Sequence, residues 1–139
     1  MKRESAKDRA AEKKFAEQML RETGEEYVKL PEFSVIDFRV RKDGQYIGYA
    51  EFKRRWNHST YYPDLILDED KWKALVDHSL WTEAKFWVQY DDCLKWIKAD
   101  EALKLDVTMA GRRDRGDPND IEPCVHIPNG RLTLYETDS

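Results

Sequence analysis

Apolar positions in the first quarter of the chain follow a helical period. Ala6, Ala10, Ala11, Phe15, Ala16, Met19 and Leu20 supply helix formers and a stripe centred on Phe15, Ala16 and Met19, and Gly24 follows as a stop signal, so the pattern predicts a helix over residues 4–22. The pattern then changes to alternation. Residues 34–41 (SVIDFRVR) and 45–54 (QYIGYAEFKR) predict two strands joined at Asp43-Gly44, a hairpin signal. Residues 56–67 predict an ordered loop ending in a short extended piece. A second helix is expected over 69–83, with Asp68 as N-cap and Trp72, Leu75, Val76, Ser79 and Leu80 on one face. Residues 85–91 and 94–98 predict another strand pair around Asp91–Cys93. The stretch 111–120 (GRRDRGDPND) is a loop by composition, and short strands are expected at 124–127 and 131–135. The order α, β, β, α, β, β implies a mixed central sheet flanked by helices, an α/β or α+β fold.

Length and composition narrow this picture. A chain of 139 residues suits one domain with one core. Aromatic residues at 12% exclude a disordered tail. No apolar run approaches the roughly 18 residues of a membrane span, and the N-terminal MKRESAKDRAAEKKF lacks the apolar segment of a signal peptide. A soluble cytoplasmic protein with no membrane partner is expected. Cys93 and Cys124 are too few for a disulfide scaffold or a four-thiolate zinc site, and His58, His78 and His126 lack metal-ligand spacing. His126 reads as a satisfied core or edge residue. The five Trp residues fall mostly on apolar positions and read as core.

The net charge of −4 argues against a general DNA-coating protein. The charge is uneven, however. Residues 39–55 hold six basic groups (Arg39, Arg41, Lys42, Lys53, Arg54, Arg55) and two acidic ones (Asp43, Glu51), whereas residues 64–106 are net acidic. A basic stripe beside acids is what a phosphate-handling metal site needs.

The candidate chemistry lies between Val35 and Arg55. Strand alternation puts Glu51 and Lys53 on one face and Ala50 and Phe52 on the other. Two carboxylates from neighbouring strands, Asp37 and Glu51, can hold Mg²⁺ or Mn²⁺ through oxygen, and the Phe52 carbonyl can add a ligand. Lys53 is placed to orient an attacking water and balance phosphate charge. Register decides whether the pair forms. A two-residue Asp43-Gly44 loop pairs Asp37 with Ala50 and turns it away from Glu51. A three-residue loop over Lys42, Asp43 and Gly44 makes Asp37 and Glu51 diagonal neighbours, so a shared site calls for that loop. On the first helix Glu12 falls within the apolar stripe, where a carboxylate needs a cation or donor. It is the candidate helix acid, with Asp8 next.

The order helix, Asp strand, Glu-x-Lys strand, helix, strand resembles the PD-(D/E)xK nuclease superfamily, with Asp37 as the motif Asp and Glu51 and Lys53 as the (D/E)xK pair. The tail GRRDRGDPNDIEPCVHIP and the helix DEDKWKAL look like those of small phage-encoded members. Ile36 stands before Asp37 where the motif has Pro. The resemblance covers a core of about residues 5–98 and a tail of 111–128, and implies a restriction-endonuclease-like αβββαβ core within one domain spanning 1–139. It further implies phosphodiester hydrolysis leaving a 5′-phosphate, with Mg²⁺ or Mn²⁺ on Glu12, Asp37, Glu51 and Phe52. The expected substrate is duplex or branched DNA in a phage-infected host. Arg54, Arg55, Tyr61, Tyr62, Lys71, Arg112 and Arg113 are the candidate nucleic-acid contacts. Arg115 belongs to the same basic cluster as Arg112 and Arg113, and all three can clamp a second phosphate or equally pair with Asp114, Asp117 and Asp120. A homodimer through the apolar residues around Phe86 and Trp87 is also compatible. The rival readings are a nucleic-acid-binding module without hydrolysis and a partner-binding protein using the acidic 64–106 segment.

Overall fold

The computed structural model describes residues 5–32, 34–111 and 121–136. Helix α1 (Ala6–Thr23) opens with a capping box. The Ser5 hydroxyl accepts from the Asp8 N–H, and the Asp8 carboxylate accepts from the Ser5 N–H. Gly24 ends the helix in the left-handed conformation, as the sequence predicts. Strands β1 (Glu26–Lys29), β2 (Phe38–Lys42), β3 (Gln45–Arg54) and β4 (Asp64–Asp68) follow. Then come α2 (Glu69–Ser79), β5 (Glu83–Gln89), β6 (Leu94–Lys98), β7 (Asp106–Gly111), β8 (Ile121–Pro128), a 3-10 turn at Asn129–Arg131, and β9 (Thr133–Leu134). The fold is α+β. A mixed sheet runs in the order β1-β2-β3-β5-β6-β9, and a second sheet runs β4-β8-β7. Setting aside β4, which belongs to the second sheet, the order α1, β1, β2, β3, α2, β5 has the expected αβββαβ pattern.

Pattern reading places most elements and misses some. Strand β1 has only Tyr27 and Val28 as apolar residues, too few to show alternation. Residues 34–37 are not strand. The chain leaves the β1–β2 ladder after the Lys29–Phe38 pair and returns where the Leu30 N–H donates to the Asp37 carbonyl. Helix α2 stops at Ser79, and Asp68 makes no side-chain capping bond to it. Strand β7 lies where no element was expected. Residues 112–120, including Arg112, Arg113 and Arg115, lie outside the described residues.

The two helices cover opposite faces of the large sheet. From α1, Phe15 stacks on Phe52 with ring centroids 4.5 Å apart. With Met19, Tyr27, Phe38, Ala50 and Trp87 they form one core. From α2, Trp72 and Leu75 meet Phe86 and Val88 of β5, together with Leu65, Leu67, Val125 and Ile127 from the second sheet. Strand β5 is therefore buried on both faces, which explains its unbroken apolar run. Phe86 and Trp87 are consumed by these cores, so they are not an exposed dimer surface. Only some of the tryptophans are core: Trp72 and Trp87 are buried, but Trp56 and Trp81 are 49% and 75% exposed. Among the described residues no helix is long and apolar enough to cross a membrane.

The β2–β3 hairpin corrects the expected register. The turn is the two-residue Asp43-Gly44 form, with Lys42 paired to Gln45 and positive φ at both turn residues (52° and 78°). The extra residue sits further along. Val40 pairs with Gly48 and Arg41 with Tyr46, which leaves Ile47 as a β-bulge. The shift makes Phe38 the partner of Ala50, so Asp37 and Glu51 fall opposite each other just past the end of the ladder. The bulge in the strand does what the three-residue loop was expected to do.

Gly48, beside the bulge, is also pressed against β5. A Cβ there would lie 2.4 Å from the Glu83 carbonyl oxygen. Backbone on β5 cannot yield as a side-chain tip would. Gly48→Ala is therefore expected to destabilise the protein by roughly 2 kcal/mol or more, read as a lower urea midpoint. An unchanged midpoint would show that β3 and β5 can separate locally without cost.

Candidate functional site

Strand β3 outruns β2. Its last pair with β2 is Ala50–Phe38, so the next inward N–H, that of Phe52, has no strand partner. The Asp37 carboxylate supplies one, with Oδ2 accepting from the Phe52 N–H at 3.2 Å. The Asp37 N–H in turn donates to Glu51 Oε1 at 3.1 Å. Two backbone donors at the end of a ladder are thus satisfied by two carboxylates, which fixes both side chains. The N–H and C=O of one strand residue point to the same edge, so strand geometry also turns the Phe52 carbonyl toward Asp37.

Glu51 is only 1% exposed. Burial, followed by the proximity of Asp37, pushes its carboxyl up to about 9 from the ordinary 4.5. The Lys71 ammonium, 3.6 Å from Glu51 Oε2, works in the other direction. Lys71 was expected to face nucleic acid; its side chain instead turns from the first turn of α2 to Glu51. On the α1 side of the sheet, Lys29 from β1 lies 2.6 Å from Glu12 Oε1 and 3.6 Å from Asp37 Oδ1. Glu12 thus faces inward as its place in the stripe predicts, and the cation beside it is Lys29. Among the described residues no three His, Cys, Asp or Glu side chains converge as a metal cage. The Asp37–Glu51 pair still fits a hard divalent cation. Its donors are all oxygen, and a cation would offset both the burial and the Asp37 proximity that hold a proton on Glu51.

Lys53 follows on β3, half-buried and beyond the last β2 rung. Its charge reaches Asp8. There burial raises the carboxyl, but bonds from Ser5 and Trp56, with help from Lys53, outweigh it and hold Asp8 below its usual range. Asp8 is therefore a helix cap tied to the Trp56 indole at 3.1 Å, and it is not the inward acid.

The remaining candidates divide into builders and exposed groups. Arg54 bonds Asp91 at 2.8 Å and the Gln89 and Arg55 carbonyls, and its guanidinium lies over Trp56 at 3.8 Å. Arg55 donates to the Ile66 carbonyl at 2.7 Å. Both arginines fasten the loop after β3 to its neighbours. That loop is also held by buried Ser59, which donates to Asp92 through both its N–H and its hydroxyl. Tyr61 and Tyr62 stand out from it, 71% and 57% exposed and edge-on at 4.7 Å. His126 bonds Asp64 and Thr108 on the second sheet and is satisfied there, as expected. Lys29 escaped the sequence reading because its strand did. The available signal was a lysine two residues from Tyr27, on the face of a strand that α1 covers.

The shifted Glu51 has a consequence for stability. Between about 4.5 and about 9 the folded carboxyl keeps a proton that the unfolded chain has lost. Stability without divalent cation should therefore fall as pH rises through that window. Glu51→Gln removes the ionisation and should raise stability at pH 8 by on the order of a few kcal/mol, with the gain vanishing below pH of about 4.5. Thermal melts of both proteins across this range in EDTA would check it. Parallel melting curves at every pH would mean that Glu51 ionises normally in the folded chain.

A family model described as "Phage putative PDDEXK endonuclease" matches residues 1–134. No curated protein and no solved structure matches the chain. With nearly the whole chain covered, the protein belongs to this phage PDDEXK endonuclease family.

Proposed function

We propose that the protein is a divalent-cation-dependent endonuclease that hydrolyses phosphodiester bonds in DNA inside the infected host. Family membership supports nuclease activity and implies nucleic acid as substrate. The observation that carries the finer reading is the reciprocal arrangement of Asp37 and Glu51. The Glu51 carboxylate accepts from the Asp37 N–H and the Asp37 carboxylate from the Phe52 N–H, at a strand end with Lys53 two residues beyond Glu51.

Asp37, Glu51 and the Phe52 carbonyl would hold Mg²⁺ or Mn²⁺, with Glu12 as the further acid nearby. When bound, the cation supplies Lewis-acid polarisation and charge neutralisation at the phosphate. Asp37 and Glu51 hold their positions because both are bonded to backbone. Lys53 orients the attacking water and offsets charge building on the phosphate oxygens. Tyr61 and Tyr62 offer aromatic faces to bases on a loop already fixed by Ser59 and Asp92.

Lys53→Ala should lower cleavage by on the order of 10²-fold or more while Mn²⁺ affinity stays close to that of the parent. Asp37→Ala should lose both. Supercoiled plasmid and a labelled four-way junction, each with Mn²⁺, Mg²⁺ or EDTA, provide the assay. Undiminished cutting by Lys53→Ala would overturn the assignment. Mn²⁺ binding with no cutting of either DNA by the parent would favour a binding module instead.

A further inference from the structure

We infer that Lys29 acts as a built-in cation for Glu12, so that the site takes one divalent ion, held by Asp37 and Glu51, and not two. The inference rests on the metal-binding reading above and specifies its stoichiometry. It starts from an asymmetry among the acids. Asp37 and Glu51 are joined directly through the Asp37 N–H. Glu12 comes from the other side of the sheet, on α1, and its partner is the Lys29 ammonium at 2.6 Å. The same nitrogen is 3.6 Å from Asp37 Oδ1, beyond hydrogen-bond length. Lys29 is thus seated on Glu12 and only leans toward Asp37.

The fold makes this placement hard to avoid. Lys29 pairs with Phe38 across the β1–β2 ladder, so both side chains face α1. Tyr27, two residues earlier on that face, is buried against Phe15 with centroids 5.1 Å apart, which fixes the strand beneath the helix. The Lys29 stem crosses the Phe38 ring, with its nitrogen 5.3 Å from the centroid. The side chain therefore runs along an apolar surface and delivers its charge at the far end. Glu12, one helical turn before Phe15, is the acid waiting there.

Charge then decides the number of ions. A second divalent ion between Glu12 and Asp37 would have to sit beside, or displace, an ammonium already paired at 2.6 Å. An ammonium cannot be a metal ligand while protonated, and like charges a few ångströms apart repel strongly in a partly buried site. The Asp37–Glu51 side is flanked more loosely, by Lys29 at 3.6 Å from Asp37 Oδ1 and Lys71 at 3.6 Å from Glu51 Oε2, both beyond hydrogen-bond length. Lys29 is therefore a positioning residue. It neutralises Glu12 and leaves Asp37 to the single ion.

The test counts ions without relying on cleavage. Isothermal titration with Mn²⁺, checked by the electron paramagnetic resonance signal of unbound Mn²⁺, gives stoichiometry for four proteins. The parent should bind one ion. Lys29→Met should bind two, because Glu12 and Asp37 lose their resident cation. Lys29→Arg should bind one. Lys29→Met combined with Glu12→Gln should return to one. If Lys29→Met loses its fold by circular dichroism, Lys29→Gln removes the charge while keeping a donor to Glu12. One ion on a folded, charge-removed variant would overturn the inference. Two ions on the parent would overturn it as well, leaving the metal reading intact. No ion on the parent would overturn the metal reading itself, and this inference with it.

Discussion

A buried carboxylate at the end of a strand ladder is the constraint around which this protein is arranged. Glu51 is almost wholly removed from water, on a strand whose other face packs against α1. Such a group is costly unless its oxygens are bonded and its charge is countered. The fold meets the first need with the Asp37 N–H, available because β2 stops at Phe38. It meets the second with Lys71 from the first turn of α2. Asp37 repeats the arrangement with the Phe52 N–H and Lys29. The two acids thus continue the hydrogen bonding of the sheet by one rung, with side chains in place of backbone. The same bonds that complete the sheet hold the candidate chemistry in position.

The bulge at Ile47 is what permits this. Without it the Asp43-Gly44 turn would send Asp37 to the opposite face, and one residue of slip would reverse every side chain on β2 relative to β3. The position is reinforced from β5, where Gly48 lets the Glu83 carbonyl approach closely. Turn, bulge and close approach lie within six residues, Asp43 to Gly48. Together they set the register that the site depends on.

How far the sequence revealed this depends on the strength of each local signal. Helix α1 was legible because its stripe and its Gly24 stop agree, although the Ser5 cap was not read. Glu51 and Lys53 could be placed on one face because alternation within β3 is independent of its neighbours; Asp37 lies before β2, and its place opposite Glu51 depends on the bulge. The bulge was not, since an extra residue in a strand of varied composition leaves no mark; the turn residues alone pointed to the right loop and the wrong register. Strand β1 was too short to alternate visibly, and Lys29 went unnoticed with it. Trp56 and Trp81 look like core by residue type, yet exposure is a tertiary property. Trp56 is half-exposed because it serves as a seat for Lys7 and Arg54. Arg54 and Arg55 likewise look like phosphate contacts until the carbonyls and the carboxylate they bind are seen.

That last point bears on how such a chain could engage nucleic acid. With a net charge of −4 it gains little from counterion release over its whole surface. Two of the basic residues nearest the site are already committed to holding a loop. Lys29 and Lys71 are committed to carboxylates. Among the described residues, much of the positive charge beside the site therefore balances acids and backbone carbonyls within the fold. The arginines and Ser59 of the loop after β3 make it rigid, so Tyr61 and Tyr62 are presented without a large ordering cost on contact.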